Sequence, residues 1–396
     1  MKRLLVALFW IGATLVAYTY FGYGALVWVI LKLRKRQQPP AQVSKLDLPS
    51  ITVVVPAYNE ATCIVQKLEN TLELDYPRDR LHVIFVDDNS TDDTLACLRT
   101  FNLPADVAVQ VLHQPERRGK LAALERALAQ VTTPIVVFTD ASAMLNPGAL
   151  RALAHPFADP TVGAVTGEKR VVTATKAGAE GTGEGLYWRY ESLLKRLDGE
   201  LHSVVGAGGE LFAARTTLCE RVPGDTIIED FYLSLRIAQH GFRVAYAPDA
   251  AIDERHSASM GEEWKRKVRI AAGGLQAICR LPGLFNLRRH RLLTFQYVSH
   301  RVFRWTLAPL FLPVIFVTNG LLAWRGGWFY RLLYGAQLLF YGAAACGFGA
   351  DRIGVRVKLL YIPFYFCMMN LAVYAGAWRL VRGTQSQVWD KARRTG

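Results

Sequence analysis

The chain alternates between long apolar runs and a stretch of ordinary globular patterning. Residues 4–31, 306–324, 332–350 and 359–378 carry no charged side chain. Each is long enough for the roughly 20 helical residues that cross a hydrocarbon core. Between the first and second runs, short β-branched segments alternate with amphipathic ones. Residues 50–56 (SITVVVP), 81–88 (LHVIFVDD) and 107–113 read as strands. Residues 61–72 and 119–131 read as helices, the second with Leu121, Leu124, Ala127 and Leu128 on one side. Residues 134–146 (PIVVFTDASAMLN) stand at the centre. Their apolar run, 135–138, predicts a strand covered on both faces. Asn146 and Pro147 predict the cap and first residue of a helix. Ser90 or Thr91 predicts another cap, with Asp92 and Asp93 in the first turn behind it.

This alternation predicts an α/β domain with a doubly wound, mostly parallel sheet. The pattern beyond residue 150 is more mixed. Strands are expected over 162–172 and 242–248, and a short one after the glycines at 206–209. Helices are expected over 184–201, 229–240 and, basic and amphipathic, over 261–281. Residues 292–305 carry Arg301 and Arg304 among aromatics, which predicts a helix lying in a membrane interface. The division that follows is an anchor over 1–36, an α/β domain over 37–260, interfacial helices over 261–305, membrane helices over 306–380 and a basic tail over 381–396.

Composition sharpens this in three places. The first apolar run is too long for a secretory h-region, and no small-x-small cleavage site follows it, so an uncleaved anchor is expected. The net charge of +14 is concentrated beside apolar spans, as in the cluster at 32–36. Anionic lipid headgroups account for it better than nucleic acid. The six cysteines show no metal-binding spacing and read as reduced thiols of a cytosolic domain.

The candidate chemistry lies at the ends of the predicted strands. Asp87 and Asp88, Asp140, and Glu229 with Asp230 all fall at one edge, where open α/β sheets bind ligands. Lys120 opens a helix, and Arg266 and Arg269 lie on the basic one. Carboxylates beside cations suit a metal-bound diphosphate, because Mg²⁺ and Mn²⁺ prefer oxygen ligands and cations hold phosphate charge. One further acid is then free to act as a base. The plainer reading of Asp140 is a residue that merely ends a strand. For Asp87 and Asp88 it is a turn, and for Asp230 a favourable charge at a helix start. Glu168, Lys169 and Glu210 read equally well as surface residues, and His256 as structural.

PAYNE, VDDNSTD, RRGK, TDAS, IIED followed by Leu233 and Arg236, and RKVRI occur in that order. Together they resemble the inverting family 2 glycosyltransferases of the GT-A fold. The likeness is greatest to the membrane-embedded polysaccharide synthases related to cellulose, chitin, hyaluronan and poly-N-acetylglucosamine synthases. The resemblance implies that Tyr58 and Glu60 contact the nucleotide base and that Asp88, beside Asp87, reads a uracil. Lys120 would sit by the base or diphosphate. Asp140 would bind the metal and diphosphate, and Asp230 would be the general base. Arg266 and Arg269 would neutralise the leaving UDP. Gly208, Gly209, Glu210 and Glu229 would border the acceptor.

Two departures stand out. The second acid of the usual D-x-D is Ser142, a weaker ligand at a position expected to bind Mg²⁺ or Mn²⁺. The usual Q-x-x-R-W ends in Ile270, without its Trp. The expected partners are therefore a UDP-sugar, a glycan or lipid-linked acceptor, and membrane lipids. The product is a β-linked polysaccharide, or alternatively a single sugar on a polyprenyl phosphate or glycolipid. The expected location is multi-pass in the inner membrane, catalytic domain cytoplasmic. Three spans after that domain would put the basic tail outside, against the positive-inside rule. Residues 306–324, with two prolines, are the first candidate for a segment that does not cross.

Overall fold

The computed structural model describes residues 1–34, 48–104, 106–172, 183–255, 259–355 and 357–384. The expected linker around Pro39 and Pro40, His256, and most of the basic tail lie outside these residues.

The first apolar run folds as α1 (Lys2–Ala17) and α2 (Tyr23–Leu33), joined by a single π turn, Tyr18–Gly22. The α/β unit follows as β1 (Ile51–Ala57), α3 (Ile64–Leu72), β2 (Leu81–Asp87), α4 (Thr94–Thr100), β3 (Ala108–His113), α5 (Lys120–Leu128) and β4 (Ile135–Thr139). Next come β5 (Met144–Leu145), α6 (Ala149–Ala154), β6 (Val162–Val172), α7 (Gly183–Leu201), β7 (Leu211–Arg215), α8 (Glu229–Gln239) and β8 (Arg243–Arg255). The eight strands form one sheet in the order β3-β2-β1-β4-β7-β6-β8-β5. β1 to β4 are parallel, and β7 runs antiparallel to both β4 and β6.

β1 and β4 read as continuous apolar runs because both faces of the sheet are covered. Val53, Val54 and Val55 are fully buried, which by transfer scales stabilises the fold by about 1.5–3 kcal/mol each. α3, α4 and α6 cover one face, through Ile64, Leu68, Leu98 and Leu150. α5 and α8 cover the other, through Leu124, Phe231 and Leu235.

Two expected helix starts are displaced. Asn146 does not cap α6; its side chain bridges to β8, accepting from Ala251 N–H at 2.7 Å and donating to Asp249 O at 3.0 Å. α4 begins at Thr94, later than Ser90 or Thr91, because the Asp92 carboxylate receives the Thr94 N–H at 3.0 Å.

The described residues beyond β8 are mostly helical: α9 (Met260–Arg280), α10 (Leu287–Gln296), a second π segment at Tyr297–Val302, α11 (Phe303–Trp305), α12 (Leu307–Trp324), α13 (Trp328–Arg352) and α14 (Lys358–Val381). Among the described residues four helices are long and apolar enough to cross a membrane: Lys2–Leu33, α12, α13 and α14. α12 packs on α1 through Phe9, Ile315 and Leu322. α14 instead lies along α9. Tyr365 Oη donates to Glu263 Oε1 at 2.9 Å. A methyl group on Gly376 would stand 2.8 Å from the α9 backbone at Val268 O and Ala272 N, so only glycine lets the helices meet so closely.

The segment expected to lie in the interface, 292–305, turns its charges inward instead. Arg301 and Arg304 are 8% and 6% exposed and grip Glu191 of α7 at 2.6 and 2.7 Å. Glu191 supplies the counter-charge that a headgroup was expected to supply, which is why both cations tolerate burial.

Candidate active site

The carboxyl ends of β1, β2 and β4 and the start of β7 lie side by side, at Ala57, Asp87, Thr139 and Leu211. Every predicted site residue is near this edge or on α8 and α9 beside it.

At its centre is Lys120, the first residue of α5. Its ammonium lies 2.9 Å from Asp140 Oδ1 and 3.2 Å from Glu229 Oε1. Against the cost of burial, Asp140, Glu229 and Asp230 hold it protonated far above the usual lysine range. Glu229 and Asp230 open α8, where the helix dipole favours anions. Their two carboxyls move apart. Glu229 is held below its ordinary range, Lys120 and Arg269 overcoming its burial. Asp230 is pushed up to about 7, first by burial and then by the neighbouring Glu229 carboxylate. A carboxyl poised near neutrality beside a cavity is what base catalysis requires.

Gly209 sits against this acid. A methyl group there would come within 2.8 Å of Asp230 Oδ2 and 3.3 Å of Lys120 Nζ. Gly208 and Glu210 flank it. Glu210 pairs with Lys169 at 3.0 Å, which with other cations holds its carboxyl well below the usual range in spite of burial. Of the residues read equally well as surface positions, Lys169 and Glu210 pair with each other and Glu210 lines the cavity, while Glu168 has other partners. Glu168 receives the Ser192 and Tyr246 hydroxyls at 2.5 Å each.

The two acids that end the second strand also hold nearby backbone. Asp87 is fully buried, accepts from the Ser90 N–H and lies 2.8 Å from His113 Nδ1. Asp88 receives the backbone N–H groups of Arg118 and Gly119 at 3.1 and 2.7 Å. Both therefore fix the loops around the site. Tyr58 is covered by the Arg117 guanidinium, 3.7 Å from the ring centroid. The β1 and β2 loops are stitched together. Asn59 and Asn89 adopt left-handed backbone angles, which Asn tolerates better than most residues. The Glu60 N–H donates to Thr94 Oγ1 at 2.8 Å.

On α9, Arg269 donates to Ile227 O at 3.0 Å, just ahead of the α8 acids. Arg266 pairs with Glu263 at 2.7 Å and lies 5.7 Å from the Trp188 ring centroid. Both arginines line one cavity of about 1000 Å³ together with Lys120, Asp140 and Asp230.

Asp140 offers one carboxylate and Ser142, in the turn that follows, one hydroxyl. Among the described residues no three His, Cys, Asp or Glu side chains form a metal cage. This donor set fits a hard cation that arrives on a diphosphate and keeps some of its waters. It does not fit a free-standing metal centre.

Two contributors escaped the sequence reading. Lys67 is fully buried under the Asp140 turn, donates to Thr139 Oγ1 at 3.1 Å and also bonds Ala143 O. Burial lowers its pKa to about 7. The signal was present: Lys67 shares a helical face with Ile64, Leu68 and Thr71, where a solvated lysine has no place. Trp188 lies among the aromatics of α7, and nothing local marks its contact with Arg266 and Lys169.

The mixed sheet, with acids and a lysine gathered at the β4 end, has the GT-A arrangement. A family model described as glycosyltransferase like family 2 matches residues 49–273, and the chain belongs to that family. Among curated relatives, the beta-monoglucosyldiacylglycerol synthase of Synechocystis sp. is 29% identical over 299 residues, 69% of this chain and 61% of that protein. The poly-beta-1,6-N-acetyl-D-glucosamine synthase of Staphylococcus aureus (strain COL) is 27% identical over 251 residues, 62% of this chain and 58% of that protein. The chain thus spans about three fifths of the length of these two relatives. The solved mannosyltransferase PcManGT from Pyrobaculum calidifontis, in complex with GDP-Man and Mn²⁺, superposes with a TM-score of 0.69. It is 28% identical and the match covers 96% of this chain and 100% of that one.

Proposed function

We propose that this glycosyltransferase transfers a sugar from a nucleotide sugar to an acceptor hydroxyl with inversion, at the cytoplasmic face of a membrane. The observation that carries this reading is Asp230, a half-buried carboxyl near neutral pKa at the head of α8, beside Lys120, Glu229 and Asp140. Asp230 takes the acceptor proton, the acceptor oxygen attacks the anomeric carbon, and the nucleoside diphosphate leaves on the opposite side. Lys120, Arg266 and Arg269 receive its charge. Tyr58 stacks on the base once Arg117 moves aside, and Glu60 borders it. Asp88, beside Asp87, reads the base, and both acids also hold the Ser90 and Gly119 loops. Asp140 and Ser142 would hold Mg²⁺ or Mn²⁺ on the diphosphate, where the ion supplies further charge neutralisation.

The base of the donor is not fixed by these residues. The order of motifs points to UDP, whereas PcManGT was crystallised with GDP-Man. The test is turnover of labelled UDP- and GDP-sugars by the protein in lipid nanodiscs with Mg²⁺ or Mn²⁺. Release of nucleoside diphosphate that Asp230→Asn abolishes is the expected result. No release from any donor sinks the reading.

The packing of α14 along α9 bears on topology. With α1–α2, α12 and α13 crossing and α14 lying in the interface, the basic tail stays on the catalytic side, as the positive-inside rule requires. A reporter fused after Gly396 that proves extracytoplasmic would refute this arrangement.

A further inference from the structure

The wall of the large cavity holds a cation that stands apart from its neighbours. Lys195 of α7 is 8% exposed and lines the cavity. Among the described residues its ammonium makes no hydrogen bond or ion pair. The other cations nearby have acids in contact. Arg301 and Arg304 share Glu191, and Arg266 and Lys267 share Glu263. Glu210 feels the Lys195 charge, but it pairs with Lys169 at 3.0 Å. Cations therefore outnumber acids along this wall. A buried ammonium is costly unless a counter-charge meets it. A cavity that keeps one without a partner is completed by an anion from outside.

The place of Lys195 narrows what that anion is. α7 lays Trp188, Glu191 and Lys195 along the cavity at helical spacing. Lys195 ends the row beside the glycines. A methyl group on Gly208 would stand 4.0 Å from its Nζ, and one on Gly209 2.8 Å from Asp230 Oδ2. Neighbouring Cα atoms lie about 3.8 Å apart, so Lys195 and Asp230 face one short stretch of the cavity. The cations that receive the leaving diphosphate stand on other elements, Lys120 on α5 and Arg266 and Arg269 on α9.

In the other direction the cavity runs to Tyr20, Phe21, Phe366 and Val373, on helices of membrane composition. Phe21 is 76% exposed, which at such a position means exposure to lipid. An amphiphile entering there leaves its apolar chain at the mouth and brings its head to Lys195.

We propose that Lys195 binds a phosphate group of the acceptor. The acceptor is a membrane lipid whose head carries that phosphate a few atoms from the hydroxyl that receives the sugar, as in a phosphatidylglycerol. This rests on the glycosyltransferase reading. The hydroxyl gives its proton to the Asp230 carboxylate, its oxygen bonds to the anomeric carbon, and the bond from that carbon to the donor diphosphate breaks with the electron pair leaving on the nucleotide. The acceptor phosphate keeps all its bonds.

The full-length protein in dodecyl maltoside, a detergent without phosphate, is given phosphatidylglycerol or diacylglycerol in mixed micelles. Its lysines are reductively methylated with labelled formaldehyde and mapped by mass spectrometry. With phosphatidylglycerol at ten times its Kd, methylation of Lys195 relative to the exposed Lys32 should fall about tenfold. Diacylglycerol should leave it unchanged. Equal methylation throughout overturns the site, and protection by UDP or GDP in place of lipid would put Lys195 on the donor side. This arm uses the unaltered protein, so it stands even where a Lys195 variant fails to fold.

The same micelles with labelled donor test the acceptor role. Lys195→Met should raise the KM for phosphatidylglycerol about tenfold, the loss that roughly 1.4 kcal/mol of affinity produces, with the KM for the donor unchanged. Lys195→Arg should restore it. Preferred transfer to diacylglycerol, or onto a polyprenyl phosphate itself, overturns the acceptor. Consumption of no donor at all would remove the transferase reading and the acceptor role, while protection of Lys195 would still establish the phosphate site.

Discussion

Two buried charge clusters lie on either side of the cavity, and they are built to opposite ends. In one, Glu191 receives both Arg301 and Arg304, while Asp198 receives Tyr23 Oη, His300 Nδ1 at 2.6 Å and the Gln296 amide. Its two acids have more partners than they need, and the arginines hold Glu191 well below its ordinary range in spite of its burial. In the other, three acids (Asp140, Glu229 and Asp230) share Lys120, with Arg269 adding to Glu229. There the shortage falls on Asp230. Buried charge alone therefore does not mark a catalytic centre. An acid left under-compensated next to open space is the candidate.

Substitutions in the two clusters should separate activity from stability. Asp230→Asn is expected to lower kcat/KM for sugar transfer by about 10²–10⁴-fold, the usual worth of a general base. It should not lower the thermal midpoint. A carboxyl whose folded pKa lies above its ordinary value loses stability as pH rises between the two, so removing its charge at pH 8 relieves the fold. Glu191→Gln should do the reverse. It leaves two buried arginines without their acid, at a cost of about 3–5 kcal/mol read by denaturant unfolding. A stable Glu191→Gln protein with lost activity would erase the contrast.

Gly209→Ala tests whether the spacing around the base matters as much as its charge. The added methyl group meets Asp230 Oδ2 at 2.8 Å, so the acid must move. A shift of about 1 Å is enough for a loss of about 10²-fold in kcat. Circular dichroism should report an unchanged fold, and activity equal to the parent would show that the acid has freedom the geometry denies it.

How far the sequence reached follows the range of the forces involved. The strands of the α/β unit were legible because burial on both faces leaves continuous apolar runs, as at 51–55 and 135–138. The acids at strand ends were legible as positions, since a strand's end is a local feature. Their partners were not. That Asp88 receives the Arg118 and Gly119 N–H groups depends on a loop about thirty residues away in the chain. Arg301 and Arg304 looked interfacial because local pattern reports amphipathicity and says nothing of Glu191, more than a hundred residues distant. The antiparallel insertion of β7 beside β4 likewise has no local signature. Lys67 was readable and overlooked.

Ser142→Asp sharpens the metal side of the catalytic cluster. A second carboxylate two residues after Asp140 adds a charged oxygen ligand, so the Mn²⁺ or Mg²⁺ concentration giving half-maximal turnover should fall by about tenfold, or roughly 1.4 kcal/mol. An unchanged requirement would mean that residue 142 does not face the ion.

The smallest expected effect is the most specific to the imbalance itself. Turnover should climb with pH through about 7 as Asp230 gives up its proton, then level off. Glu229→Gln removes the like charge that helps to raise Asp230, and it frees Lys120 to lean toward the remaining acids. Both changes favour the ionised base, so the midpoint of the pH–rate profile should move down. Burial acts first among the causes and is untouched, so the midpoint should remain above that of an ordinary aspartate. A midpoint that stays at 7 would assign the whole shift to desolvation. One that moves up would mean that Glu229 stabilises the ionised base, and the account of an acid starved of counter-charge would fail.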